Sequence, residues 1–322
     1  MPTQRSAACV LFIMAVLLAA AFFDYQFYPF GMPPRGYSAN KGENGLWLSS
    51  DWYDDKAADY GAMADRLKSA QVRYAYFHVH NIDRNGKLVV SARANASAIV
   101  TAIHNLAPRT LAIAWVYAGN RSGRGLVDLS KPAVRAQMVR EAVRLTTTGG
   151  FDGVQWDYEI CPDGDRYFLD LLQQTKAALP TGKILCAATP ILLPHVPYCW
   201  SDSYYGKVTK NCDQIDVMCY DSAATFPRAY EWLTAYDTAG VLRIAAKSNP
   251  RCRVLIGAPT YPEWTLSHNP HAESLELALR GIRAGVSDAG PSRKSFAGIA
   301  IFADYTTSSS DWKTYRKWWT DR

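Results

Sequence analysis

The stretch Phe151-Asp152-Gly153-Val154-Gln155-Trp156-Asp157-Tyr158-Glu159 reads as a short buried strand with acids at its C-terminal end. Side chains alternate along an extended strand, so Gln155, Asp157 and Glu159 share one face. Val154, Trp156 and Tyr158 share the other, the face that a layer of covering helices needs. At about 3.3 Å of rise per residue, the α-carbons of Asp157 and Glu159 stand roughly 6–7 Å apart. Two carboxyl groups that close resist joint ionisation, and a proton is expected to stay on one of them. General acid catalysis needs such a group.

Outward from this strand the chain alternates strands and helices. Gly45 to Ser49 reads as the first strand, followed by an amphipathic helix over Asp54 to Ala70. Arg73 to His80 is the second strand and Leu111 to Val116 the third. Helical spacing of Ile99, Ile103 and Leu106 lies between them, and Val134, Met138, Ala142 and Leu145 mark the helix before Gly149-Gly150. Beyond Glu159 come a helix (Tyr167 to Leu179), strands at Ile184 to Pro190 and Ile215 to Asp221, and a helix carrying Trp232, Leu233 and Tyr236. A strand at Val254 to Pro259, a helix at Glu276 to Ala284, a strand at Ala297 to Phe302 and a closing helix from Trp312 complete the pattern. Eight apolar strands, each followed by a helix-length segment, predict an α/β fold, a single (β/α)8 TIM barrel over residues 45–322. No Gly-x-Gly-x-x-Gly follows the first strand, which argues against a doubly wound dinucleotide fold. In a barrel, function sits at the C-terminal strand ends. Asp51, His80, Tyr117, Asp157, Glu159, Tyr220, Asp221 and Tyr261 all fall there. His78 and His80 share a strand face with Tyr76 and read as satisfied barrel histidines.

The chain has 322 residues, 48% hydrophobic and 20% charged, an ordinary globular composition. A net charge of +6 without a long Lys or Arg run excludes a nucleic-acid footprint. Nineteen Tyr and ten Trp suit both a core and sugar-stacking platforms. Residues 1–23, with Arg5, the apolar run Ala7 to Phe23 and Ala19-Ala20-Ala21, read as a signal peptide or an N-terminal membrane anchor. Residues 24–44 read as a linker. Both N-terminal readings place the barrel outside the cytoplasm, secreted, periplasmic or anchored. Export permits disulfides among Cys161, Cys186, Cys199, Cys212, Cys219 and Cys252. Cys199 and Cys212, flanking one helical segment, are the preferred pair, and Cys186 and Cys219 read as buried thiols in strands. No Cys-x-x-Cys spacing points to a metal, no cofactor is implied, and a monomer is expected.

The opening stretch resembles the Asp-Gly-x-Asp-x-Asp-x-Glu signature of family 18 glycoside hydrolases, the chitinase family. Further segments are similar to that family in the right order: Tyr74 to Phe77 with the turn Asp83-Arg84-Asn85-Gly86-Lys87-Leu88, then Met218-Cys219-Tyr220-Asp221, then Gly257-Ala258-Pro259-Thr260-Tyr261. The resemblance implies a polymer substrate containing N-acetylglucosamine and a substrate-assisted retaining mechanism, an exception to the two-carboxylate scheme. In it the substrate's acetamido oxygen attacks the anomeric carbon. Glu159 takes the acid/base position, Asp157 the position that orients the acetamido group, and Tyr220 the one that bonds its carbonyl. Gln155, Asp221, Met218, Tyr261, Phe302 and Tyr117 fall at substrate-binding positions of the family.

Three departures stand out. Gln155 replaces an Asp, which removes one negative charge beneath Asp157. Phe302 stands where the family has a Trp floor, and Tyr117-Ala118-Gly119 where it commonly has Gly-Gly. Between Tyr261 and Phe296 the chain has room for little more than one helix, so the insertion domain of many bacterial chitinases is absent and an open, shallow groove is expected. Two other readings fit part of the pattern. Gln155 and Phe302 suit a weak or inactive barrel that binds glycans as a lectin, against which stand Asp157 and Glu159. A conventional carboxylate nucleophile would need a second acid about 5–5.5 Å from Glu159, for which Asp51, Asp221 and Asp304 are candidates.

Overall fold

Strand β1 (Asn44–Leu48) pairs in parallel with both β2 (Val72–Asn81) and β8 (Phe296–Phe302), which closes the sheet on itself. Between them β3 (Leu111–Gly119), β4 (Gly153–Glu159), β5 (Ile184–Pro190), β6 (Gln214–Met218) and β7 (Arg253–Pro259) each pair with their sequence neighbours. The helices are α1 (Gln4–Phe27), α2 (Ser50–Tyr53), α3 (Tyr60–Ser69), α4 (Ala96–Leu106), α5 (Pro132–Thr147), α6 (Arg166–Ala178), α7 (Asp202–Asn211), α8 (Pro227–Ser248), α9 (Leu275–Asp288) and α10 (Ser309–Tyr315). This computed structural model describes residues 4–27, 38–54, 59–91, 94–120, 125–193 and 199–321, and in α1 the side chains of 9–22 alone. The architecture is the (β/α)8 barrel that the strand–helix alternation predicts.

Two apolar layers hold it together. A large one fills the space between barrel and helices and takes Val154, Trp156 and Tyr158 from the outer face of β4. Tyr158 stacks on Phe168 of α6 with ring centres 5.3 Å apart, and the Trp156 indole N–H donates to Thr175 Oγ1 at 3.1 Å. A smaller layer fills the barrel interior with Trp47, Tyr74, Tyr76, Ile113, Trp115, Cys186 and Leu255. Its aromatic share is large, and small residues make room for it: a β-carbon on Gly45 would come within 2.7 Å of the Tyr76 ring.

Several local expectations change. Of the helix expected over Asp54 to Ala70, the structure describes α3 from Tyr60 on, with 55–58 outside the described residues, and a separate short helix, α2, stands ahead of it. Asp59 starts α3 by accepting from Ala62 N–H at 2.8 Å, and Asp54 is drawn away to His80 Nε2 at 2.8 Å. Strand β6 ends at Met218, short of Asp221, because Cys219 N–H turns back onto Val217 O at 2.9 Å. Asp221 and Ala223 then adopt left-handed backbone, φ 55° and 56°, which lifts Tyr220 and Asp221 into the mouth. The preferred disulfide does not form, and all seven cysteines are free thiols. Cys199 and Cys212 lie at opposite ends of α7, whose 10 residues span roughly 15 Å at about 1.5 Å each, beyond the ~7 Å limit between disulfide α-carbons. Cys186 and Cys219 are buried, as expected.

Between β7 and β8 the helical elements are α9 and a short 3-10 turn (Gly290–Ser295), so no domain is inserted there. Of the expected linker, 28–37 lie outside the described residues, while Lys41 reaches from 38–43 to donate to Phe296 O at 2.5 Å at the closed end of the barrel. The described side chains of α1 are apolar and exposed, and Phe22 meets Phe226 edge-on at 5.5 Å. Among the described residues no helix is long and apolar enough to cross a membrane.

Candidate active site

The site is built in two storeys on the inner face of β4. In the lower storey Gln155 is wholly buried. Trp47 of β1 donates its indole N–H to Gln155 Oε1 at 2.9 Å. An indole nitrogen can only donate, so the Gln155 amide is locked with its NH2 pointing the other way. That NH2 donates to Asp216 Oδ2 at 2.7 Å. Asp216 of β6 is itself fully buried and accepts further from Tyr76 Oη at 2.7 Å and Gln214 Nε2 at 3.0 Å. Burial pushes the Asp216 carboxyl up to about 7, against the pull of these three donors. Both polar ends of Gln155 are thus used as a strut between β1 and β6, so it sits beneath the mouth and out of reach of a ligand.

One storey up stand the acids. Asp157 is 5% exposed, and Trp115 of β3 donates its indole N–H to Oδ2 at 2.8 Å. Its Oδ1 is buried without a partner. Burial pushes Asp157 up to about 6, with the Trp115 bond opposing. Glu159 ends β4 at the rim. The Asp157 charge, then burial, then the Asp221 charge push it up to about 8. Repulsion between neighbouring carboxylates is relieved by keeping one proton on the pair.

Residues just past β6 and β7, and Phe302 at the end of β8, complete the mouth. Tyr220 is buried, and Tyr261, Asp157, Glu159 and Asp221 are the acidic neighbours that, after burial, hold its hydroxyl protonated. Its ring stacks on Phe302 at 5.2 Å and meets Tyr261 edge-on at 6.0 Å. Phe302 is the centre of the floor, with Trp47, Trp115 and Tyr261 around it at 5.7, 6.0 and 5.9 Å. Gly257 of β7 lets Tyr220 come this close, since a β-carbon there would lie 2.9 Å from its ring. Asp221 is exposed and accepts from Ser267 Oγ at 3.2 Å.

The fold therefore gathers Glu159, Asp157, Tyr220, Asp221, Tyr261 and Phe302 at one mouth. Tyr117 stands near the end of β3 in register with Asp157, partly exposed, and Met218 ends β6, also partly exposed. His78 and His80 are satisfied, as expected. His80 bonds Asp54, and His78 lies against Trp115 at 4.5 Å, where burial and His80 lower it to about 4. Asp304, a candidate nucleophile, is engaged by Trp52 Nε1 at 3.0 Å and Ser49 N–H at 3.2 Å. Sequence reasoning missed Trp47, Trp115 and Asp216. Their signal is the inward phase of β1, β3 and β6, where large aromatic and acidic residues stand at positions that a barrel fills with aliphatic ones. Among the described residues no group of three or more His, Cys, Asp or Glu is placed to hold a metal ion.

The profile of the glycosyl hydrolases family 18 matches residues 49–321, and the chain belongs to that family. Among solved structures, the spore cortex-lytic enzyme SleL of Bacillus cereus superposes with a TM-score of 0.61 at 13% identity, covering 89% of this chain and 76% of that one. The chitinase of Chromobacterium violaceum gives 0.59 at 14%, covering 85% and 98%. The C-terminal domain of a putative chitinase from Desulfitobacterium hafniense gives 0.61 at 15%, covering 85% and 98%. At these identities the likeness is one of fold. No curated protein matches the chain in sequence.

Proposed function

We propose that this family 18 barrel is a β-N-acetylglucosaminidase-type hydrolase that cleaves polymers containing N-acetylglucosamine by substrate-assisted retaining catalysis. The observation that carries this is the Asp157–Glu159 pair, in which the buried charge of Asp157 is the largest cause of proton retention on Glu159. Glu159, at the rim, protonates the leaving glycosidic oxygen and then, ionised, activates water. Asp157 has one oxygen tied to Trp115 and the other unpaired. The free oxygen accepts the acetamido N–H of the substrate and steadies the positive charge that develops beside it. The protonated Tyr220 hydroxyl donates to the acetamido carbonyl, which is the nucleophile. Phe302, ringed by aromatic side chains, supplies the apolar floor for the sugar, and Asp221 and Tyr261 line its edge.

With no domain inserted after β7, the groove is open, which suits internal cleavage of long chains. The neighbours include chitinases and a cortex-lytic enzyme, so chitin oligomers, peptidoglycan and N-glycan cores are the substrates to offer. The apolar exposed face of α1 supports an extracytoplasmic location, by a cleaved signal or an anchor. The test is reducing-end release from each polymer by wild type and Glu159→Gln. Loss of a positioned acid costs ~10²–10⁴-fold, so equal rates would sink the assignment. A thiazoline mimic of the cyclised intermediate should inhibit, and indifference to it would rule out substrate assistance.

A further inference from the structure

The loop after β7 carries a wholly buried His–Glu contact outside strand β4, and the loop after β6 is bonded to its Glu. His268 Nδ1 lies 3.1 Å from Glu273 Oε2, and both side chains are 0% exposed. His268 Nε2 faces the backbone oxygen of Tyr261 at 3.2 Å. A carbonyl oxygen only accepts, so Nε2 carries a hydrogen. Glu273 Oε1 accepts from both Ser222 N–H (3.1 Å) and Ser222 Oγ (2.8 Å). The remaining axis, Nδ1 to Oε2, therefore needs one proton of its own. It lies either on an imidazolium facing a carboxylate or on a carboxylic acid facing a neutral ring. Without it two lone pairs would confront each other in a dry interior, a costly arrangement. The titratable groups facing Glu273 are Asp221, Cys219 at the end of β6, Tyr230 of α8 and Tyr261. None of these is a cation.

What this contact holds in place belongs to the site. The Tyr261 ring lies over the His268 ring with centres 4.0 Å apart. Ser222 follows Asp221 directly, and its backbone N–H is the one bonded by Glu273. Ala223 N–H donates to Ser267 O at 2.7 Å, and Ser267 Oγ to Asp221 at 3.2 Å. The left-handed turn at Asp221 and Ala223 is thus tied to the β7 loop at three points. We infer that His268 and Glu273 are positioning residues: the single proton they share within the β7 loop fixes the Glu273 carboxyl, which clamps that loop to Ser222 of the β6 loop and so sets where Tyr261 and Asp221 stand around the substrate. The inference rests on the proposed glycosidase reading for its kinetic arm alone.

Glu273→Gln and Glu273→Ala in the full chain separate the clamp from a mere packing role. A glutamine keeps an oxygen for Ser222 and offers a permanent N–H to His268 Nδ1, replacing the shared proton. Glu273→Ala and His268→Ala remove it. Loss of a buried hydrogen-bond partner of this kind should raise KM for a chitin oligomer about tenfold, with the pH limbs of kcat unmoved. Glu273→Gln should stay within about twofold of wild type. Hydrogen exchange reads the same clamp without turnover. Faster exchange confined to 221–226 and 261–274 in Glu273→Ala, and absent in Glu273→Gln, is the expected result. Unchanged exchange in Glu273→Ala, or equal exchange in the Ala and Gln variants, would overturn the clamp even if the chain cleaves glycans. Failure to cleave any glycan would leave the exchange result to decide it.

Discussion

Trp115 donates its indole N–H to Asp157 Oδ2 at 2.8 Å, while Oδ1 of the same carboxyl is buried with no partner. The bond fixes which oxygen is spent on the protein and which, under the proposed mechanism, would meet the substrate. Trp115→Phe keeps an aromatic ring beside His78 and Phe302, smaller than the indole, and deletes the donor. A hydrogen bond to a charged group contributes about 1.5–3 kcal/mol, so kcat/KM should fall roughly 10–100-fold. The bond favours ionised Asp157, so its loss should also move the acid limb of the pH–rate profile upward. An unmoved limb would show that Trp115 acts by packing alone.

Proton retention on Glu159 sets the basic limb. Under the proposed mechanism Glu159 works as a protonated acid, so activity should fall as pH rises through about 8. The Asp157 charge is the largest cause of that value, and Asp157→Asn removes it. The residual activity of Asp157→Asn should lose its basic limb at a pH about one unit or more lower. A kcat/KM profile from pH 4 to 10 checks both statements.

Gln155→Asp would make the catalytic strand conform to the family signature, yet here it should do harm. Asp216 Oδ2 lies 2.7 Å from the Gln155 amide nitrogen. An aspartate at 155 would bring a second carboxyl toward Asp216 in a wholly buried layer and take the acceptor away from Trp47. We expect a lower Tm at pH 7.5, a smaller loss at pH 5 where one of the two is protonated, and no gain in rate. A faster enzyme of unchanged Tm would refute the strut.

Gly257→Ala should act at a distance of one strand. The added β-carbon would lie 2.8 Å from Val217 O and 2.9 Å from the Tyr220 ring. The backbone contact is the harder to relieve, so Tyr220 is pushed off Phe302. A drop in kcat of about tenfold or more is expected from the displaced hydroxyl, with global stability lowered by ~1–3 kcal/mol for overpacking. Steady-state kinetics with urea melts would separate the two.

Buried acids should make the fold less stable as pH rises. Asp237 is fully buried, accepts from Leu192 N–H at 2.6 Å and has the Cys219 thiol beside it. Burial raises it to about 7, as with Asp216. A folded-state value above the unfolded ~3.9 stabilises the fold fully below about pH 4, a contribution lost as pH climbs through about 7. Tm should decline from pH 5 to pH 8, and Asp237→Asn should flatten that decline while keeping the acceptor for Leu192. A variant with the wild-type slope would remove Asp237 as a source.

Much of this molecule is legible along the chain because its signals are local. The period of two in Val154 to Glu159 puts Trp156 and Tyr158 under α6 and the acids inside, and eight repeats of strand and helix leave a closed barrel as the arrangement that covers both faces. Motif order then brings Asp157, Glu159, Tyr220, Asp221, Tyr261 and Phe302 to the same rim. The spacing of Cys199 and Cys212 was legible too, since a helix of ten residues already holds them apart, but flanking positions suggested a pair.

Other features depend on contacts between strands far apart in sequence. Gln155 looks like a lost charge until Trp47, 108 residues away, fixes its amide and Asp216, 61 residues away, restores a buried acid beside it. Asp157 looks like one acid of a pair until Trp115 of the neighbouring strand spends one of its oxygens. His268 and Glu273 look like loop polars until the turn after β6 closes over them. Alternation and spacing by themselves determined the barrel and the acids on its inner face, because backbone period alone decides which way a side chain points. Tertiary structure alone decided which atoms of those acids stay free, because hydrogen-bond partners and burial come from other strands.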